Sequence, residues 1–143
     1  MTEDTAALLR RAWAAYDSGD ADAFAACLTD DWHEHRPSGE ISILPDERKT
    51  MAMHREAFPD KHTVIHQLVA ADDLVACNCT TYATHTGPYI DLAPTGQHVE
   101  VDEMMFNRIE DGLIAETWVI TAGDGFYKQL TGRSAPDDLD NMG

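Results

Sequence analysis

Residues 98–121 read HVEVDEMMFNRIEDGLIAETWVIT, and this stretch decides the fold. Asp111-Gly112 separates two segments in which apolar and polar residues alternate, and this pattern predicts a β-hairpin with a two-residue turn. We therefore expect two antiparallel strands, His98–Ile109 and Leu113–Thr121.

The register of this hairpin determines which side chains share a face. Counting back from the turn places Asn107 opposite Glu116, and side chains alternate between the two faces of a strand. One face is then mostly apolar but holds two carboxylates; it consists of Val101, Glu103, Met105, Asn107, Ile109, Ile114, Glu116, Trp118 and Ile120. A carboxyl group among Met, Trp and Ile loses hydration, which raises its pKa and allows proton exchange near neutral pH. Glu103 and Glu116 are therefore the predicted acid/base pair.

Two alternatives to this prediction stay open. Glu103 and Glu116 could instead lie at the rim of the sheet, in water or paired with Arg108 or Arg36. In addition, a change of one residue in the turn would exchange the two faces.

The rest of the chain predicts helices first and strands afterwards. The predicted elements are a helix from Thr5 to Ser18, a second helix from its cap Asp20 to Leu28, a short strand Asp31–Arg36, a helix Glu47–Phe58 capped by Asp46, strands His62–Ala70 and Leu74–His85, and a helical turn at 127–130. This order indicates one α+β domain over residues 1–143, with a frayed tail at 134–143 and three N-terminal helices packed on a curved antiparallel sheet. A bent sheet covered by helices leaves a conical pocket for a small ligand.

Composition excludes several function classes. The 143 residues contain 10 Lys and Arg against 26 Asp and Glu, a formal charge of −16 at pH 7. Such a charge repels nucleic acid and anionic lipid, so an apolar small molecule is the expected partner. We find no membrane-spanning run and no export signal, and we interpret Cys27, Cys77 and Cys79 as reduced thiols of a cytoplasmic protein.

A second cluster is His33-Glu34-His35, in which His33 and His35 point the same way if the segment is a strand. His85 could join them from the end of the long strand. Together with Glu40 the H-x-H pair faintly resembles the metal site of cupin barrels, but the glycines that flank such sites are absent. We therefore expect no metal here, and we interpret these histidines as hydrogen-bonding residues.

Several segments, in order, resemble the SnoaL-like polyketide cyclase family of the NTF2-like superfamily. They are AYDSGDADAFAACLTDDWHEH at 15–35, EAFPD at 56–60, THTGPYIDLAPTGQHVEV at 84–101, IEDGLIAETW at 109–118 and FYKQL at 126–130. The resemblance implies a cone-shaped α+β barrel, a homodimer or higher oligomer, and neither metal nor cofactor.

The resemblance also implies roles for individual residues. His35 is similar to the family's pocket histidine, His85 to the histidine before the middle glycine, and Glu116 with Trp118 to its acidic-x-Trp element. The chain departs from the cyclases at two positions: Val119 stands where they have the catalytic aspartate, and Glu103 where they have a glutamine. The proton-transfer group is therefore expected to have moved.

These observations predict a cofactor-independent enzyme that cyclises or isomerises an apolar polyketide-like or polycyclic metabolite in secondary metabolism. The predicted catalytic residues are Glu103, Glu116, His35 and His85, and the predicted substrate-binding residues are Trp13, Tyr16, Trp32, His33, Met105, Asn107, Trp118 and Ile120. Two other functions fit the same residues: hydrolysis of an epoxide or lactone, and binding of a small molecule without catalysis.

Overall fold

The structure, a computed structural model, describes residues 2–135, with side chains from residue 5 onward. Its elements are α1 (Thr2–Ser18), α2 (Ala21–Ala25), β1 (Leu28–His35), β2 (Ile41–Ile43), α3 (Leu44–Ala57), β3 (His62–Ala71), β4 (Leu74–Thr84), β5 (His98–Glu110), β6 (Leu113–Ala122) and α4 (Phe126–Thr131). The predicted frayed tail lies outside the described residues from residue 136 onward. Within the described range, no helix has the length and apolar character needed to cross a membrane.

The six strands form one curved sheet in the order β2-β1-β6-β5-β4-β3. The α+β class is confirmed, but the sheet is not wholly antiparallel, because β1 pairs with β6 in parallel. Parallel pairing needs a long crossover, and α3 with the four intervening strands β2 to β5 provides it. The short strand β2, which the sequence did not predict, extends the edge beside β1.

The β5–β6 hairpin turns at Asp111-Gly112 as predicted. Asp111 has φ 52° and Gly112 φ 77°, so both turn residues occupy the left-handed region that this tight turn requires. Glu110 lies opposite Leu113, and Ile109 lies opposite Ile114. Thus the turn itself and the first two pairs agree with the sequence-based register.

Beyond those pairs the register changes by one residue. Arg108, not Asn107, lies opposite Glu116, so Ala115 is the extra residue of a β-bulge. Ile114 and Ala115 are both buried, so the bulge inserts two consecutive apolar residues into the core. From Glu116 onward, every β6 side chain therefore points to the face opposite to the predicted one.

The concave, inner face of the sheet packs against α1, α2 and α3. Apolar side chains from the helices and strands fill this layer, among them Leu9, Tyr16, Phe24, Trp32, Met51 and Met105. The Asp20 carboxylate caps α2 by accepting a hydrogen bond from the Ala23 N–H at 3.1 Å, as predicted. However, α2 ends at Ala25, because the Cys27 carbonyl already accepts from the Ile114 N–H at the edge of the sheet.

Two other helix boundaries differ from the predicted ones. Helix α1 begins at Thr2, ahead of the predicted cap Thr5. Helix α3 begins at Leu44, so Asp46 lies inside its first turn, where its carboxylate accepts from the Ile43 N–H at 3.1 Å. Asp46 therefore still satisfies a free donor at this helix end, but from a different position.

A second core closes one end of the sheet. It contains Phe58, Tyr89, Phe126 and Tyr127, which lie at the end of α3, in the 85–97 loop and in α4. Gly87 allows this loop to meet α3, because a Cβ at this position would lie 1.9 Å from the Glu56 carbonyl oxygen.

Candidate active site

A small internal cavity lies between the helices and the inner face of the sheet. Its volume is about 20 Å³, and its lining consists of Trp13, Tyr16, Glu34, Glu47, Thr50, Glu103 and Val119. This is room for about one water molecule. Three carboxyl groups therefore share a nearly closed, partly aromatic space.

Glu103 projects into this cavity from β5, as predicted, and is only 6% exposed. Burial raises the pKa of Glu103 to about 8, and the positive charge of Lys61 opposes this rise. A carboxyl group with this pKa can both release and accept a proton near neutral pH.

Glu34 lines the same cavity from β1 and is also buried. Burial raises its pKa well above the usual value, and the charges of Glu47 and Glu103 raise it further. The sequence analysis placed its neighbours His33 and His35 in the pocket instead. Strand alternation could have identified Glu34, because it shares a face with the core residue Trp32.

Glu47, which the sequence analysis missed, connects three elements around the cavity. Its carboxylate accepts hydrogen bonds from Tyr16 Oη at 2.7 Å, from Arg36 Nη2 at 2.7 Å and from Ser42 Oγ. The Arg36 and Glu47 side chains are 6% and 4% exposed, so this is a buried ion pair. These contacts hold α1, α3 and the end of β1 together.

Lys61 supplies a buried positive charge near Glu103. Its Nζ lies 4.5 Å above the ring of Tyr16 and 3.4 Å from Nδ1 of His54. Burial lowers the pKa of Lys61 to about 8, although Asp17 and Glu103 oppose the change. Burial also lowers the pKa of His54, whose neutral ring can accept from the ammonium group.

The other predicted carboxylate, Glu116, lies on the convex, outer face because of the bulge at Ala115. Glu116 Oε2 lies 2.6 Å from His35 Nε2 and 3.2 Å from His33 Nε2. Its Oε1 accepts a hydrogen bond from Arg108 Nε at 3.2 Å. The hydrogen bond with His35 is the main cause that lowers the pKa of Glu116. The prediction that Glu103 and Glu116 share one pocket is therefore wrong.

The remaining predicted residues divide between the faces. Trp118 and Ile120 follow Glu116 onto the outer face, where the Trp118 ring stacks on His35 with a centroid distance of 5.1 Å. On the inner face, Trp32 Nε1 donates to Thr117 Oγ1, which donates to Asn107 Oδ1. Met105 is a core residue. Only Trp13 and Tyr16, of the predicted substrate-binding residues, line the cavity with Glu103.

His85 is also separate from the cavity. It is fully buried beside the second core, its ring 5.6 Å from that of Phe58, and its Nδ1 accepts from the Thr95 N–H at 3.2 Å. Burial lowers its pKa. The predicted grouping of His85 with His35 is therefore wrong, since His35 lies on the outer face.

Two open clefts adjoin the cavity. One, of about 510 Å³, lies between α1 and the start of β3 and shares Trp13 with the cavity. The other, of about 530 Å³, lies beside β2 and α3 and shares Thr50 with it. Trp13 Nε1 is buried and has no hydrogen-bond partner among the described residues. Trp13 thus borders both the cavity that contains Glu103 and the first cleft, and its indole N–H has no acceptor among the described residues.

The outer face carries an apolar cleft of about 350 Å³. Four large side chains near it are mostly exposed: Val69 (66%), Met104 (63%), Phe106 (54%) and Ile120 (68%). Trp118 also lines this cleft and connects it to the His33-His35-Glu116 cluster.

Comparison with known proteins agrees with this architecture. The putative hydroxylase AclR from Streptomyces galilaeus is 24% identical with a TM-score of 0.82, over 97% of this chain and 88% of that chain. The putative polyketide cyclase IdmH from Streptomyces antibioticus is 24% identical with a TM-score of 0.73, and the match covers 82% of this chain and 91% of that chain. TsrD from Streptomyces laurentii is 22% identical with a TM-score of 0.72, over 85% and 90%. No curated protein matches significantly.

These solved structures confirm the predicted NTF2-like fold. The family model for SnoaL-like polyketide cyclases matches residues 6–130, which is most of the chain. The chain therefore belongs to the SnoaL-like polyketide cyclase family.

Proposed function

We propose that the protein catalyses an intramolecular ring closure, of the aldol type or a related isomerisation, on an apolar polyketide-like metabolite. The proposal depends on one observation: the carboxyl group of Glu103 is buried in a cavity lined by aromatic residues, and burial raises its pKa to about 8. Its ionised form would remove a proton next to a substrate carbonyl, and its neutral form would return a proton to the new oxygen. The acid/base pair proposed from the sequence is thereby reduced to Glu103, with Glu34 beside it.

The position of Val119 supports this assignment. Val119 aligns with the catalytic aspartate that the family resemblance implies, and it lines the same cavity as Glu103. The carboxyl group of Glu103 thus comes from β5, the strand adjacent to Val119. Met105 pairs with Val119, and Glu103 lies two residues from Met105 on the same face of the sheet. From β5, the Glu103 carboxylate can therefore accept a proton from the same part of a bound substrate as a carboxylate at position 119 would.

Lys61 and Trp13 have supporting roles in this proposal. The charge of Lys61 stabilises the Glu103 carboxylate when it forms, which keeps the pKa of Glu103 within reach of neutral pH. The cavity of about 20 Å³ cannot hold a polyketide, so the reacting part of the substrate must displace a side chain. Trp13, between the cavity and the open cleft, is the proposed gate, and its free N–H would bind a substrate oxygen.

The experiment compares the wild type with Glu103→Gln. A thermal-shift screen of polyketide-like and polycyclic compounds first identifies a ligand, and turnover of that compound or its open-chain precursor is then followed by mass spectrometry. Removal of a general acid/base is expected to slow the reaction about 100-fold or more. Glu100→Gln, an exposed residue of the same strand, is the matched control and should keep wild-type turnover.

Three outcomes would contradict the proposal. Unchanged turnover by the Glu103→Gln variant would show that Glu103 is not the residue that transfers the proton. Ligand binding without any product would favour a binding protein, and incorporation of labelled solvent oxygen would favour a hydrolase.

We also propose that the protein is cytoplasmic, which its three free cysteines support, and that it forms a homodimer, as the family resemblance implies. The exposed apolar side chains of the outer face, Val69, Met104, Phe106 and Ile120, support self-association, because a second copy would remove this surface from water.

A further inference from the structure

We infer that His33, His35 and Glu116 form a binding site for a divalent first-row transition metal ion on the outer face of the sheet. One ligand atom from each residue lies within 4.8 Å of the other two. Two imidazoles and one carboxylate are donors that suit Zn²⁺, Fe²⁺, Co²⁺ or Ni²⁺, whereas Mg²⁺ and Ca²⁺ prefer oxygen ligands. The third ligand is Glu116 on β6, not the Glu40 considered from the sequence.

The backbone explains why these three residues meet. His33 and His35 are two residues apart on β1, so their side chains point to the same face. Parallel pairing places His33 opposite Glu116, and the bulge at Ala115 turns Glu116 to the outer face. The cluster is therefore fixed by neighbouring strands of one sheet and not by a loop.

The ligand atoms lie close to the separations that a shared ion requires. Two ligands at about 2.1 Å from one ion stand about 3.0 to 3.4 Å apart, depending on the coordination geometry. His33 Nε2 lies 3.2 Å from Glu116 Oε2, within this interval. His35 Nε2 lies 2.6 Å from the same oxygen, so the two atoms would need to separate by about 0.4 to 0.8 Å to share an ion.

Hydrogen bonds around the cluster orient the ligand atoms. His33 Nδ1 lies 3.2 Å from the Asp31 carbonyl oxygen, which can only accept, so Nδ1 donates to this oxygen and Nε2 is the atom that faces Glu116. Nε2 faces the Glu116 carboxylate, and either a proton or a metal cation between the two atoms satisfies both of them. Arg108 Nε binds the other oxygen, Oε1, and leaves Oε2 for the ion. Such outer contacts are typical of metal sites.

Access and charge also favour a cation. The side chains of His33 and His35 are each 34% exposed, and that of Glu116 is 17% exposed, so an ion can enter from solvent and keep water in its open positions. The formal charge of −16 raises the local concentration of cations around the protein.

The test measures Co²⁺ binding to the full chain by equilibrium dialysis, with Ni²⁺ and Zn²⁺ as competitors. We expect saturable binding of one Co²⁺ ion per chain. Zn²⁺ should displace this ion, and millimolar Mg²⁺ should not. His33→Ala, His35→Ala and Glu116→Gln should each weaken binding at least about 100-fold, beyond the usual loss for outer contacts. The matched control is His98→Ala, since His98 is an exposed histidine 3.5 Å from a carboxylate, and it should bind as the wild type does.

A second readout does not depend on those variants. Because the Trp118 ring stacks on His35 at 5.1 Å, Co²⁺ or Ni²⁺ bound there should quench tryptophan fluorescence. Trp118→Phe should lose most of this quenching while dialysis still gives one equivalent. The inference fails if the wild type binds no equivalent of Co²⁺, if binding leaves fluorescence unchanged, or if His98→Ala weakens binding as much as His35→Ala does.

Discussion

Replacement of Glu103 by Gln is expected to stabilise the protein progressively as the pH rises. Burial raises the pKa of Glu103 to about 8, against an ordinary value of 4.5. Between these values the unfolded chain loses this proton while the folded protein keeps it. The folded state therefore binds more protons, and its stability falls as the pH rises through this interval.

The magnitude follows from the same two pKa values. One pH unit corresponds to about 1.4 kcal/mol. From pH 4.5 to pH 7 the wild type loses about 3 kcal/mol at this residue, a substantial part of the ~5–15 kcal/mol that stabilises a typical domain. Gln cannot ionise, so the variant lacks this loss. Any cost of burying its amide is the same at every pH and leaves the slope unchanged.

Urea unfolding of both proteins, followed by circular dichroism between about pH 5 and pH 7.5, measures this difference. With an m-value of about 2 kcal/mol per molar, the two midpoints should diverge by about 0.7 M per pH unit. Lys61, with a pKa lowered to about 8, changes stability mainly above this range. Glu100→Gln controls for the loss of one formal charge. Parallel pH profiles for the wild type and Glu103→Gln would refute the argument, because they would mean that Glu103 ionises as freely as in the unfolded chain.

Two further predictions concern the buried ion pair of Arg36 with Glu47 and the exposed apolar residues of the outer face. Glu47→Ala leaves the buried Arg36 guanidinium without its carboxylate and should cost about 3 to 5 kcal/mol in urea unfolding. The double variant Arg36→Met with Glu47→Leu should recover most of this loss. A free energy of unfolding of Glu47→Ala within about 1 kcal/mol of the wild type would contradict the stabilising role of this ion pair. Sedimentation velocity should show a wild-type dimer of twice the 15.8 kDa chain mass. Phe106→Glu should be monomeric, and a monomeric wild type would contradict the dimer.

The hairpin was predictable from the sequence because its turn has a strict backbone requirement. Asp and Gly are the residues that most readily adopt two successive positive φ angles, so Asp111-Gly112 could be located without any knowledge of tertiary contacts. The bulge had no comparable signal. Ile114 and Ala115 are both apolar and both buried, so either register satisfies the hydrophobic pattern near the turn.

The candidate site was predictable only in part for a related reason. Glu103 lies on the strand before the turn, where the bulge has no effect, and it faces the interior as predicted. Glu116 lies just beyond the bulge and faces outward. The contacts of Glu47 and Lys61 join residues far apart in sequence, such as Tyr16 to Glu47, and no periodicity in the chain indicates them.

The single extra residue at Ala115 has a consequence for how this sheet can diversify. Deletion of Ala115 would remove the bulge but leave Glu116 opposite Arg108, so the two faces of β6 would stay as they are. Pairing without the bulge at unchanged chain length would instead turn Glu116 and Trp118 to the interior and Val119 to the outer face. The bulge therefore determines which of two sets of β6 side chains faces the cavity. A substitution that removes the bulge would therefore change the set of side chains lining the cavity, whereas a deletion of Ala115 would keep the present set.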